Sequence, residues 1–299
     1  MRSIIKTIKK TDLVWRYGYN FSPSMDYKFY GKNSLSDTEK NVIDTLNSDG
    51  IAVTTVDELF GDGSEFQALD SATRILLEDR KAEIDSLKAS VNDPDIGSKT
   101  FNLEMLGSEL TFDPESIFAG FALNSKLLNI ANAYFQMYTK LRYYNVWKTF
   151  ASQGCARESQ LWHFDREDNY ILKLFLYLDD VDEGAGPFTY APGTHRKGRF
   201  CSIEPEFFME GGVRRTTDKQ MAAVFPKEKW RKGTGKKGTI IFADTRGFHK
   251  GGEARTKDRL MYTCMYTSRA SESKELLTVP SDLNSDTLTT DQLRNLGIR

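Results

Sequence analysis

From Leu141 onward the chain is a succession of short β-type runs, and this texture narrows the possible folds more than any other feature. The runs are "LRYYNVWKTF", "YILKLFLYL", "PFTYAPG", "GTIIFAD" and "RLMYTCMYT", parted by Gly, Pro, Asp and Lys. They are rich in β-branched and aromatic residues, and no helical pattern comes between them. Strands that follow one another in this way pair antiparallel and close as a sandwich or barrel. The expected fold is therefore mostly β, with the upstream helices packed outside.

Those helices are visible in their own signals. In "SLSDTEKNVIDTLNSDG", Ser36 and Glu39 fit a capping box, Val42, Ile43 and Leu46 share a face, and Asp49–Gly50 ends the helix. "IAVTTV" (51–56) reads as a strand. Residues 64–90 carry Phe66, Leu69, Ile75, Leu76, Ile84 and Leu87 at helical spacing. A further helical region is expected after Asp113, with Pro114 in its first turn, running in pieces to about Tyr138. Residues 1–35 read as irregular. The polar, lysine-rich segment 196–237 interrupts two strands, and such long insertions are often lids or binding loops; a solvated face explains its lysines as well.

Composition removes several classes. The formal net charge of −1 gives no electrostatic case for nucleic acid or an anionic membrane as partner. Lysines interrupt the N-terminal "MRSIIKTIKKTDLVW" before a signal-type apolar core develops, and no apolar run reaches the ~18 residues of a membrane helix. Cys155, Cys201 and Cys264 are odd in number and far apart. They read as small, partly buried apolar residues in a reducing, cytoplasmic protein rather than as a disulfide framework or zinc site.

Of only three histidines, one lies in "SQLWHFDRED" (159–168), two places before an aspartate. Residues i and i+2 of a strand share a face, so His163 and Asp165 can aim at one point. His249 follows the strong strand "GTIIFAD". Two histidines and a carboxylate on one side of a metal make the facial triad that suits non-haem Fe(II). Arg259 opens the strand "RLMYTCMYT", and its guanidinium offers a rigid fork for a carboxylate. The bland readings are a structural His–Asp hydrogen bond, a histidine in a Gly-rich turn, and an Arg259 salt bridge to Asp244 or Glu253. His195, in "APGTHRKG", reads as a turn residue. Lys173 interrupts an apolar strand; sharing an inner face with Phe175 and Tyr177, it would meet an anion, and a snorkelling structural lysine is the alternative. Asn145 and Trp147 are pocket candidates on similar grounds. Trp162 should point away from the pocket into the core, and Arg246 reads as paired with a surface carboxylate.

The order "SQLWHFDRED … LKLFLYLDDVDEGAGPFTYAPGTHRKG … GTIIFADTRGFHKGG … R" resembles the phytanoyl-CoA dioxygenase family of Fe(II)/2-oxoglutarate oxygenases, chiefly over residues 141–267. The resemblance implies a double-stranded β-helix (a jelly-roll, cupin-like core) with flanking helices. It implies iron ligation by His163, Asp165 and His249, and Arg259 on the far carboxylate of 2-oxoglutarate; Lys173 and Asn145 join them as pocket candidates from their own strand patterns. Where the family often has a small hydroxyl residue two places after the distal histidine, this chain has Gly251, so Arg259 would work with other helpers. The implied reaction consumes 2-oxoglutarate and O2, yields succinate and CO2, and oxidises, by default hydroxylates, an unactivated C–H of a small molecule. Related halogenases lack the carboxylate that Asp165 supplies, which argues against halogenation. The expected layout is one oxygenase domain over 1–299: an N-terminal helical region (1–140), the jelly roll (141–267) with its 196–237 insertion, and a C-terminal extension (268–299). The rivals are a cupin-type metalloenzyme that does not use 2-oxoglutarate, and a jelly roll that binds a ligand without catalysis.

Overall fold

The computed structural model describes residues 11–31, 34–91 and 101–298. The main helices lie in the first half of the chain: α1 (Phe21–Tyr30), α2 (Asp37–Asp49), α3 (Ser64–Asp79), α4 (Lys81–Ser90) and α5 (Ser125–Phe135). Eleven strands position the site: β1 (Ile51–Thr55), β2 (Asn102–Glu104), β3 (Lys140–Thr149), β4 (Leu172–Tyr177), β5 (Thr189–Tyr190), β6 (Phe208–Glu210), β7 (Val213–Arg215), β8 (Arg231–Lys232), β9 (Thr239–Asp244), β10 (His249–Lys250) and β11 (Arg259–Thr267). Six of them form one sheet in the order β1-β9-β4-β11-β3-β2, and every neighbouring pair is antiparallel. The facing layer is shorter, in the order β10-β5-β8. Isolated bridges extend it from His249 to His163 and from Trp162 to Thr216. This is a jelly roll with helices on one outer face.

Strand alternation divides the side chains between two cores. Leu172, Leu174 and Leu176 point outward with Ile240, Phe242, Tyr262 and Cys264 into the core beneath the helices. Phe175, Tyr177, Ile241, Ala243 and Met261 point inward against Phe188 and Tyr190 of the short layer. Lys173 shares that inner parity, as its alternation with the leucines requires.

Several boundaries follow their local chemistry. Ser36 and Glu39 exchange side-chain-to-backbone hydrogen bonds at the start of α2. Gly50 ends that helix at φ 77°, and a Cβ there would sit 2.4 Å from the Tyr190 hydroxyl oxygen and 2.6 Å from His195 Nδ1, so glycine is required twice over. The amphipathic stretch 64–90 is two helices broken at Arg80, and Ile75 is exposed.

Three expectations are corrected. Residues 11–31 are largely helical rather than irregular, because tertiary contacts override weak propensity. Trp15 Nε1 donates to Asp168 at 2.6 Å, and Arg16 Nη1 donates to the carbonyl of Phe135 at 2.7 Å. Pro114 lies ahead of the next helix, which starts at Ile117 behind the N-cap Ser116. The segment 196–237 is structured, holding β6, β7, a helix over Asp218–Val224 and β8. Of the cysteines, only Cys264 is buried; Cys155 and Cys201 are exposed thiols.

Candidate metal centre

His163, Asp165 and His249 converge. Their candidate ligand atoms all lie within 4.8 Å of one another. Backbone pairing creates this meeting: His163 N donates to His249 O at 3.0 Å and His249 N donates to His163 O at 2.9 Å. Directly opposed residues of an antiparallel pair project to the same side, and Asp165 follows by the two-residue period. The imidazole centroids are 4.3 Å apart.

Each imidazole is held by a carbonyl two residues upstream. His163 Nδ1 is 2.8 Å from Leu161 O, and His249 Nδ1 is 3.0 Å from Gly247 O. A carbonyl only accepts, so we assign the proton to Nδ1, which leaves each Nε2 lone pair for a cation. Burial, with the neighbouring imidazole, holds His163 well below the usual histidine range; burial also lowers His249. Burial opposes ionisation of Asp165, but Lys173 and the two imidazoles outweigh it and keep the carboxyl well below the usual carboxylate range. Lys173 Nζ stands 2.7 Å from Asp165 Oδ2 as a close ion pair, yet that oxygen accepts no aligned hydrogen bond. Two neutral imidazoles and one ionised carboxylate, all deprotonated at their free atoms, are the donor set a ferrous ion takes.

The depressed histidines give a stability prediction. Unfolding releases both imidazoles to an ordinary affinity for protons, so the unfolded chain takes up protons as pH falls through about 6.5. Metal-free protein should therefore lose thermal stability between pH 7.5 and 5.5. The loss should be smaller in His163→Gln, and Tm values that stay level across this range would contradict the buried neutral histidines.

Behind the triad lies a cavity of ≈ 80 Å³, walled in part by His163, His249, Lys173, Gln160, Trp147 and Arg259. Arg259 is 5% exposed, and its Nε and Nη1 have no hydrogen-bond partner. Only Nη2 reaches a neighbour, Thr149 Oγ1 at 3.4 Å. The carboxylates that competed for Arg259 are engaged elsewhere: Asp244 Oδ2 accepts from Tyr134 at 2.6 Å, and Glu253 pairs with Arg255. A buried guanidinium with free donors facing a cavity fits a carboxylate, and leaving it bare is costly. Gly251 lines the same cavity, and a Cβ added there would lie in ordinary contact, 3.8 Å from Arg259 Nη2. The hydroxyl beside Arg259 thus comes from Thr149, across the β3–β11 pair.

Other sequence candidates separate. Asn145 is not among the cavity walls; its amide is used by the Leu106 N–H at 3.0 Å and the Gly107 carbonyl at 2.7 Å. Trp147 lines the cavity and its Nε1 has no partner. Trp162 faces away, buried against Trp230. His195 is fully buried in its turn, near the carbonyl of Asn47. Arg246 departs from the expected carboxylate pairing, since its Nη1 donates to the backbone carbonyl of Asp165 at 2.7 Å. Sequence reasoning missed Thr149, although it shares the strand parity of Trp147, and it missed Arg215, which a cross-strand register brings beside the triad.

Comparison with known proteins agrees with this geometry. A model of the family described as "Phytanoyl-CoA dioxygenase (PhyH)" matches residues 119–261. No curated protein matches the sequence. Among solved structures, one similar fold is the epimerase SnoN in complex with Fe3+, alpha ketoglutarate and nogalamycin RO. It is 16% identical, with 77% of this chain and 84% of that chain covered and a TM-score of 0.51. EctD from S. alaskensis in its apoform is 20% identical, with 78% and 77% covered and a TM-score of 0.50. The same enzyme with bound Fe gives 17% identity, 82% and 88% coverage, and a TM-score of 0.50. At such identities these likenesses speak for the fold.

A jelly roll with a His-Asp-His cluster at its mouth and this family match define the class: an Fe(II)/2-oxoglutarate-dependent oxygenase. Within that class, the stretch over residues 119–261 is similar to the phytanoyl-CoA dioxygenase family.

Proposed function

We propose that the protein hydroxylates an unactivated C–H of a small molecule, with His163, Asp165 and His249 as the iron ligands and Arg259 as the anchor of 2-oxoglutarate. The observation that carries this reading is the meeting of two features at one cavity: the two histidines of the triad and the bare guanidinium of Arg259 line it together. A non-2-oxoglutarate cupin enzyme would have no use for the second.

A ferrous ion with 2-oxoglutarate supplies the oxidising power, converting the keto acid and O2 to succinate and CO2. The chain supplies placement. The backbone carbonyls of Leu161 and Gly247 fix the two imidazoles, and Lys173 keeps Asp165 ionised. Arg259, with Thr149 beside it, fixes how deep a dicarboxylate sits, so that its keto-acid end reaches the triad. Phe175, Phe188 and Met261 make the cavity wall apolar and limit water. The 196–237 segment serves as the lid over this opening, since Thr216, directly after β7, bridges to Trp162 beside His163. We place the protein in a reducing cytoplasm, where the exposed Cys155 and Cys201 stay thiols. No helix among the described residues is long and apolar enough to cross a membrane.

The test is 2-oxoglutarate turnover. Purified protein with Fe(II), 2-oxoglutarate and O2 should release succinate, slowly without primary substrate, and only when all three components are present. Succinate formation that is absent, or independent of Fe(II), sinks the assignment.

A further inference from the structure

We propose that Arg215 binds an anionic group, a carboxylate or a phosphate, on the primary substrate beside the metal centre. This deepens the reading above and rests on it for the location of the reacting carbon.

The placement comes from register. Trp162 and Thr216 exchange backbone hydrogen bonds, Trp162 N to Thr216 O at 3.1 Å and Thr216 N to Trp162 O at 3.0 Å. One step along this antiparallel pair, Arg215 stands opposite His163, and opposed residues project to the same side. The side chain of Arg215 therefore shares the face of His163, while its exposed neighbour Arg214 turns out over the ring of Phe207. The backbone here is well held. Thr217 and Gln220 form a capping box directly after it, and Glu210 at the hairpin's other strand accepts from the Glu158 N–H at 2.7 Å.

The energetics point to a missing partner. Arg215 is 8% exposed, and its Nε and Nη1 are buried without a hydrogen bond. The nearest carboxylate oxygen, on Glu210, is 3.9 Å from Nε, which makes a long ion pair and leaves the fork unfilled. Burying a guanidinium in this state is costly unless something fills its donors. Arg259 already provides for the far end of the keto acid. Glu210 and Glu158 both act on Arg215 through their charge, yet neither fills its fork, and Nε and Nη1 stay without an acceptor. A substrate anion would fill those donors. The planar fork of arginine matches carboxylate and phosphate alike.

The experiment uses the full chain loaded with Ni(II) and 2-oxoglutarate, titrated calorimetrically with benzoate, phenyl phosphate and the neutral isostere benzamide. At least one anion should bind roughly tenfold or more tightly than benzamide. The anion that does so identifies the group. Arg215→Gln should erase the preference, and Arg215→Lys should keep part of it because charge remains while the fork is lost. The affinity of 2-oxoglutarate should stay unchanged in both variants. Thermal midpoints establish that the variants are folded, and Arg215→Lys carries the test if Arg215→Gln is not. The proposal is overturned if neither anion outcompetes benzamide, if the glutamine variant keeps the preference, or if 2-oxoglutarate weakens in parallel with the anion. Failure of the wild type to take up Ni(II) and 2-oxoglutarate would instead count against the metal-site reading itself.

Discussion

His249→Ala is expected to lower succinate formation by on the order of a thousandfold and to leave the fold standing. Mutating partners that merely orient a ligand already costs 10–100-fold in metal affinity or activity in well-studied sites. Removing the ligand itself should cost more, with about 4 kcal/mol corresponding to a thousandfold change. The fold survives because His249 pairs with His163 and Tyr190 through its backbone, which alanine retains. Its buried imidazole also gives up only one hydrogen bond, to the Gly247 carbonyl. Asp165→Ala should behave alike in activity, with one difference: Lys173 then loses its only ion pair among the described residues, and a half-buried ammonium is left alone. That variant should be the less stable of the two. Iron content after anaerobic equilibrium dialysis, read beside succinate release, separates loss of ligand from loss of fold. A His249→Ala protein that retains stoichiometric iron would contradict the ligand assignment.

Arg259→Gln should raise the apparent KM for 2-oxoglutarate by on the order of a hundredfold, while iron affinity changes little. Breaking one side of a buried, hydrogen-bonded charge pair costs about 2–5 kcal/mol, and glutamine keeps length without the charged fork. The same substitution carries a second signature. In the protein without co-substrate, Arg259 has two buried donors unpaired and no carboxylate among its described salt-bridge partners. Replacing it should therefore leave Tm level or raise it. Weaker binding together with equal or greater stability distinguishes a residue kept for a ligand from one kept for the fold. A fall in Tm with KM unchanged would make Arg259 structural.

Much of this could be read from the residues because local chemistry decided it. Ser36, Glu39 and Gly50 bound a helix by hydrogen bonds that span three or four positions, and the leucines of β4 alternate with Lys173, Phe175 and Tyr177 by the period of a strand. The His163–Asp165 spacing belongs to the same kind of information. What stayed hidden depends on which distant segment comes alongside. Residues 11–31 fold as helices because Asp168 and Phe135 offer partners to Trp15 and Arg16, and nothing local announces this. Asn145 has the strand parity of Trp147, yet its amide is consumed by the 106–107 turn. Arg215 looks like one of many basic residues in a polar insertion until the Trp162–Thr216 bridge turns it inward. Parity along a strand can be read; register between strands far apart in sequence cannot.

The most direct measurement is an anaerobic titration of the purified chain with Fe(II), followed by 2-oxoglutarate, with visible absorption and calorimetry recorded together. The account predicts one Fe(II) per chain, then one 2-oxoglutarate whose tight binding requires both the metal and Arg259. Protein that binds no ferrous ion specifically, or binds it equally well after His163, Asp165 and His249 are all replaced by alanine, would contradict it.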